Sequence, residues 1–323
     1  MANRSRRRRL RHGRRLSVFR MLMDLRYRPI NLILRVSLSD IISVSNLCSV
    51  AMRIYHYTNI DTLALILKNR TIRFNRLDNV DDLEEGKAES LGIKFCKYIF
   101  VSCWTKSAEE NIPLWKMYGG DFGGIRISMD YQMFMDYPVK DLEFNGLKSE
   151  GYFYSKIPAT DMLNPSFFFI PIHQYENDMF FRDIEYVDNV FECTKDKIRL
   201  CNVQGNQADM QMEMKPFGSY KHKRWAFQKE LRFVLYALPC NPFLDSANPN
   251  ISSIVINSLL QNKVLPFTHY DLRLKDDVID KLIITLSPSI TDSQRIIVYA
   301  LRDKYVPKAV IEESTLGSLV RLK

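Results

Sequence analysis

The chain has 323 residues, 46% of them hydrophobic, with 19 Phe and 16 Tyr, which is enough apolar material for one large domain or two ordinary ones. Its formal charge of +9 reads as a nucleic-acid signature until it is located: residues 1–51 carry 12 Arg, no Lys and two acids, and the remaining 34 basic and 35 acidic residues nearly cancel. Six Cys with no C-x-x-C pair and no metal-ligand spacing argue against a disulfide framework or a zinc site and fit a reduced, cytoplasmic protein.

The basic start, "MANRSRRRRLRHGRRLSVFR", has two readings. An Arg run of this density binds phosphates electrostatically, without sequence preference. The alternative is a disordered extension, or sequence upstream of a later start at Met21, Met23 or Met52. The abrupt change from Arg-only to Lys-rich composition favours this alternative. The apolar stretch that follows, "INLILRVSLSDIISVSNL", is broken by Arg35 and Asp40, so neither a secretory signal nor a membrane span is expected.

The folded unit is expected to begin near Met52. "RIYHYT" alternates as a strand, and Thr58 or Asn59 caps a helix through "IDTLALILKNR" with Ile60, Leu63, Ile66 and Leu67 on one face. "TIRFN" is a second strand, and the acidic loop "LDNVDDLEEG" leads to a helix near 85–95. "KYIFVSCW" reads as a buried strand, "EENIPLWKMYG" as a short helix and "GGIRISMD" as another strand. Residues 138–215 mix turns with a strand "DIEYV" and a helix near 190–202, and read as an elaboration inside the domain. "KHKRWAFQKELRFVLYAL" restores strong order; a strand "DKLIITL", a helix opened by the capping box Thr291-x-x-Gln294 and a strand "KAVIEES" complete the chain.

Short strands with scattered helices and no strict βαβ alternation predict an α+β fold. No G-x-G-x-x-G or P-loop string supports a standard nucleotide fold. The expected organisation is a basic, disordered extension over 1–51 and one domain over 52–323, with an irregular insertion at about 138–215.

Several residues stand out by chemistry. On a period-two strand, Ile54, His56 and Thr58 share one face and Tyr55 and Tyr57 the other; a lone strand His is more often structural than functional. Trp115 and Tyr118, three apart, share a helix face, where core packing is the ordinary reading of each. A strand through "WAFQKELRF" puts Gln228, Glu230 and Arg232 opposite Leu231 and Phe233, as a solvent-facing row or as the polar wall of a cleft. Ser102, Trp104, Arg73 and Asn75 are expected at the border of such a cleft, and Cys103 is a candidate nucleophile, with no His partner assignable from the sequence. The acidic run Asp78, Asp81, Asp82, Glu84 and Glu85 reads as a solvated helix start in preference to a divalent-ion site.

Taken in order, "YHYT", "VDDLEE", "VSCW", "LWKMYGG", "GGIRISMD" and "WAFQKELR" resemble a bacterial family catalogued as a domain of unknown function. Its pattern runs from an "FNDPFE"-like loop through "LS…LMWSHYA…GVCIGFD" to "W-x-x-E-x-E-x-R". The resemblance covers roughly residues 52–313 and matches 138–215 poorly. That family in turn is similar to the ADP-ribosyltransferase fold, in its His–Tyr–Glu group.

The resemblance implies split antiparallel sheets around an NAD cleft with peripheral helices, NAD as co-substrate and no metal. It implies that His56 hydrogen-bonds the ribose, that Tyr118 stacks on nicotinamide and that Glu230 bonds the 2′-hydroxyl of the nicotinamide ribose. Gln228 joins Glu230 as a catalytic candidate, and Tyr57, Ser102 and Trp115 join the cofactor-binding set, with Trp115 packing behind Tyr118. Two departures stand out: Gln228 replaces the first Glu of E-x-E, and "VDDLEE" lacks the Pro of "FNDPFE".

The residue types suit the chemistry. Breaking the nicotinamide–ribose bond develops oxocarbenium character, which a nearby carboxylate stabilises more in the transition state than in the ground state. The implied activity is transfer of ADP-ribose to a macromolecular acceptor (DNA, RNA or protein) by a toxin or antiphage effector. An antitoxin or regulatory protein would be its partner, and no membrane is involved. NAD glycohydrolysis and a non-catalytic nucleotide- or nucleic-acid-binding module are the alternatives.

Overall fold

The computed structural model describes residues 20–21, 30–33, 52–144, 147–170, 179–204, 207–241, 251–317 and 319. Of the extension over 1–51, the described residues are two short strands, Arg20–Met21 and Ile30–Ile33, the second running parallel to Gln207–Met212. The Arg run at residues 4–15 lies outside the described residues.

The fold is mixed α+β, with several sheets and peripheral helices. Among the described residues its main sheet has ten strands, numbered here along the chain: β1 (Arg53–Thr58), β2 (Thr71–Arg76), β3 (Ile99–Thr105), β4 (Ile125–Asp130), β5 (Phe168–Phe169), β6 (Phe181–Asp183), β7 (Glu230–Leu238), β8 (His269–Arg273), β9 (Ile283–Leu286) and β10 (Val310–Glu312). The order is β5-β7-β3-β1-β4-β9-β10, with β6 also on β7 and the pair β2–β8 attached to β3. All contacts are antiparallel except β9 with β10.

Local chemistry sets the elements around the first strands. Asn59 caps helix α1 (Ile60–Asn69) by accepting the Thr62 N–H at 2.7 Å, and the helix stops on Arg70 in the left-handed region. Its apolar stripe, Leu63, Ile66 and Leu67, is buried. Helix α2 (Ile112–Tyr118) starts on Asn111, whose side chain accepts the Leu114 N–H, with Pro113 in the first turn. The glycine-rich turn after it folds the chain back onto β1: a Cβ on Gly124 would stand 2.4 Å from the Thr58 carbonyl oxygen.

One expected helix is not formed and another is cut short. Residues 85–95 make a 3₁₀ turn at Glu85–Lys87 and then a tight hairpin, because Leu91 and Gly92 both take positive φ, 51° and 75°, as a primed two-residue turn requires. The helix expected near 190–202 ends at Thr194, and from Ile198 the chain pairs as a strand with Gln207–Met212. Elsewhere in 138–215, Tyr137–Phe144 pairs with Leu147–Ser155, while β5 and β6 join the main sheet.

One connected core runs from Ile54 to Ala309, and a smaller cluster of Tyr57, Leu114, Trp115 and Phe122 sits under α2. Strand β7 is paired along both edges and buried almost throughout, in keeping with its near-continuous apolar run. Among the described residues no helix is long and apolar enough to cross a membrane.

Candidate functional site

The main sheet forks along one edge of β3. Thr105 pairs with Tyr55 of β1, whereas Val101 and Phe100 pair with Asn75 and Arg76 of β2. On that edge Ser102, Cys103 and Trp104 have no strand partner among the described residues. The fork opens into a cavity of about 360 Å³, within the range of small-molecule sites, roughly 300–1,000 Å³.

His56 meets the backbone demand that the fork creates. Its Nδ1 lies 2.8 Å from the Cys103 carbonyl oxygen. A carbonyl only accepts, so Nδ1 carries the proton and Nε2 is left as an acceptor. Burial lowers the His56 pKa and the bond to Cys103 offsets this only in part, so the ring is neutral at pH 7. Trp104 packs against it with ring centroids 5.0 Å apart and donates Nε1–H to Ser102 Oγ at 3.0 Å.

The opposite wall is ionic. Glu230 opens β7, and its backbone N–H donates to the Tyr186 hydroxyl at 2.8 Å. One carboxylate oxygen accepts from Arg232 Nε at 2.7 Å and the other from Lys221 Nζ at 3.1 Å. Arg232 reaches on to Glu85, and Lys221 lies 3.5 Å from the same Glu85. The four side chains are 0–5% exposed and their charges cancel. Burial opposes ionisation of Glu230, but Arg232 and Lys221 outweigh it and hold the carboxyl below its usual range. Burial likewise disfavours the Lys221 ammonium, and the two carboxylates shift it upward on balance. A parallel pair, Glu185–Val187 with Tyr220–His222, places Tyr186 and Lys221 in register beside the start of β7.

Tyr118 and Gln228 bridge toward the acidic loop. Lys221 Nζ donates to Gln228 Oε1 at 2.8 Å, and Gln228 Nε2 donates to the Tyr118 hydroxyl at 3.0 Å. Burial, and then Asp81, push the Tyr118 phenol upward, so it stays protonated.

Of the sequence candidates, His56, Tyr57, Ser102, Tyr118, Gln228 and Glu230 all line this one cavity, and Arg73, Asn75 and Trp104 border it as expected. Trp115 does not: it is fully buried under α2, edge-on to Tyr57 at 4.9 Å, with Nε1–H donated to Glu110 at 2.8 Å. Gln228 and Glu230 do not share a strand. Gln228 ends a 3₁₀ turn, Lys229 takes φ 44°, and the two side chains converge because both meet Lys221. The row does not face solvent: Gln228, Glu230 and Arg232 are all buried, with Gln228 and Glu230 on the cavity wall.

Cys103 lines the cavity, but burial, followed by the Glu230 carboxylate, pushes its thiol far up, which removes it as a nucleophile at neutral pH. The acidic run is not a solvated helix start, since Asp82 and Glu85 are buried and Asp78 pairs with Arg76. Sequence reasoning missed Lys221 and Tyr186; the one available signal was the basic "KHKR" immediately before "WAFQKELR".

Among the described residues no cluster of His, Cys, Asp and Glu is arranged to hold a metal ion. Comparison with family models, with curated proteins and with solved structures returns no match.

Proposed function

We propose that the chain is an ADP-ribosyltransferase-like enzyme that cleaves NAD and transfers ADP-ribose to a macromolecular acceptor. One observation carries this reading: His56, Tyr118 and Glu230, from β1, α2 and β7, line a single cavity at a fork in the sheet. In this reading the free Nε2 of neutral His56 accepts a ribose hydroxyl. The Tyr118 ring holds the nicotinamide plane, and Glu230 faces the ribose carbon that becomes cationic. The C1′–nicotinamide bond breaks with its electron pair leaving on nicotinamide. The acceptor's lone pair forms the new bond to C1′, and the acceptor's proton leaves to solvent.

A second reading, a nucleotide-binding pocket without catalysis, is favoured by a specific feature. Both oxygens of Glu230 are already engaged by cations, which mutes its charge toward the cavity. Nicotinamide release from NAD by the full chain, supplied with cell protein and nucleic acid as acceptors, separates the two. The transferase reading expects nicotinamide and an ADP-ribose mass increase on an acceptor. NAD binding without nicotinamide release replaces that reading with the second.

A further inference from the structure

A second cavity, of about 490 Å³, adjoins the first and shares Asp81 and Met117 with it. Asp81, Asp82 and Glu84 supply carboxylates to its wall, and Trp225 and Phe227 supply rings whose planes are 34° apart. Asp82 carries the decisive feature. It is 4% exposed, its Oδ1 accepts the Glu84 N–H at 3.0 Å, and its Oδ2 is buried with no partner among the described residues. An anionic oxygen in that position calls for a donor, and a charged donor meets the need best.

The cations already present leave that need open. The Lys221 ammonium is committed to Glu230, Gln228 and Glu85 and lies 4.9 Å over the Trp225 ring. Arg224 also borders the cavity, but it is exposed. Carboxylates beside aromatic faces select a planar cation: a guanidinium presents a fork of donors to carboxylates and stacks on rings, which an ammonium does not. The same acids repel phosphates, which counts against a nucleic acid seated here. Leu83 and Met117, both exposed at the rim, offer apolar contact to residues flanking the cation.

We propose that the second cavity binds the guanidinium of an arginine side chain on a protein partner. The binding stands on the geometry above; its catalytic consequence rests on the transferase reading. In that case the bound arginine is the acceptor. One guanidinium nitrogen bonds to C1′ as the C1′–nicotinamide bond breaks with its electron pair on nicotinamide, and the lost proton passes to Asp81 and then to solvent.

The test is fluorescence anisotropy of the full chain with a labelled Leu-Gly-Arg-Gly-Leu peptide. Peptides with citrulline or lysine in place of arginine serve as the neutral and ammonium controls. Arginine is expected to bind at least about tenfold more tightly than either, one such step being about 1.4 kcal/mol. Asp82→Asn should remove most of that preference, and Glu84→Gln supplies the same reading if Asp82→Asn does not fold. Equal binding of arginine and citrulline, equal binding of lysine, or a preference untouched by both variants overturns the proposal. Displacement of the peptide by a single-stranded oligonucleotide at equal concentration overturns it too. NAD turnover in the same samples without arginine selectivity overturns this inference and leaves the transferase reading standing. Arginine selectivity without NAD turnover does the reverse.

Discussion

His56 and Glu230 face the same cavity and are held by opposite physics. His56 is neutral and is fixed by a single hydrogen bond to a carbonyl that the forked sheet leaves without a ladder partner. Glu230 is ionised and is fixed by two cations, which are themselves balanced by Glu85. A neutral end of this kind costs little to build and is easily replaced. An ionic end buried to this depth tolerates the loss of no member, because each removal strands a charge.

The largest expected effect is on stability at the ionic end. Arg232→Met strips Glu85 of its closest cation and leaves Glu230 with Lys221 alone. Removing one partner of a buried pair costs about 3–5 kcal/mol. Urea unfolding of the variant should show that loss; an unchanged midpoint would mean that charge is not what holds this wall.

The next effect concerns rate. Glu230→Gln keeps the shape but leaves Arg232 and Lys221 with Glu85 as their one carboxylate, and so shares the stability loss. On the transferase reading it also removes the charge facing C1′, and nicotinamide release per folded molecule should in addition fall about 10²–10³-fold. NAD affinity should change far less, since His56 and Tyr118 carry ground-state recognition. A variant that releases nicotinamide at the wild-type rate ends the assigned role of Glu230.

At the neutral end the effect is smaller. His56→Ala leaves the Cys103 carbonyl unsatisfied, at a cost of about 1–3 kcal/mol. His56→Asn places an amide N–H near the position of Nδ1 and should recover most of that loss in the same unfolding assay. If Ala and Asn are equally destabilising, the contact to Cys103 is not the reason His56 is held.

The smallest effect is a difference in pH window. The folded pKa of His56 lies below its unfolded value of about 6.5, so the unfolded chain takes the proton first. Its contribution is complete above about pH 6.5 and is lost as pH falls below that. Glu230 is also depressed, but from an unfolded value near 4.3, so its contribution persists to lower pH and is lost only as pH falls past about 4. Unfolding midpoints followed downward from about pH 7.5 should therefore decline in two stages. His56→Asn should flatten the first and leave the second.

Much of the local structure could be read from the chain directly. The alternation of "RIYHYT", the Asn59 cap with its Leu63, Ile66 and Leu67 stripe, and the capping box at Thr291 and Gln294 all form as their spacing predicts. These depend on contacts within one or two turns of chain, where period and capping chemistry suffice. Even there a positive-φ hairpin at Leu91-Gly92 displaced a helix that composition alone favoured.

The candidate site was legible as residue types and not as an arrangement. His56, Tyr118 and Glu230 stand out in the sequence, but only the packing of β1, α2 and β7 against one another brings them to one cavity. Glu85 and Arg232 are 147 residues apart, so no local pattern joins them. Lys221 reaches Glu230 because the Tyr220–His222 strand runs beside Glu185–Val187 and brings it to the start of β7. The fork along β3 is likewise a property of three strands at once. Period and propensity act over a few residues, whereas ladder register and the balancing of buried charge act across the whole sheet, so only the tertiary structure could decide them.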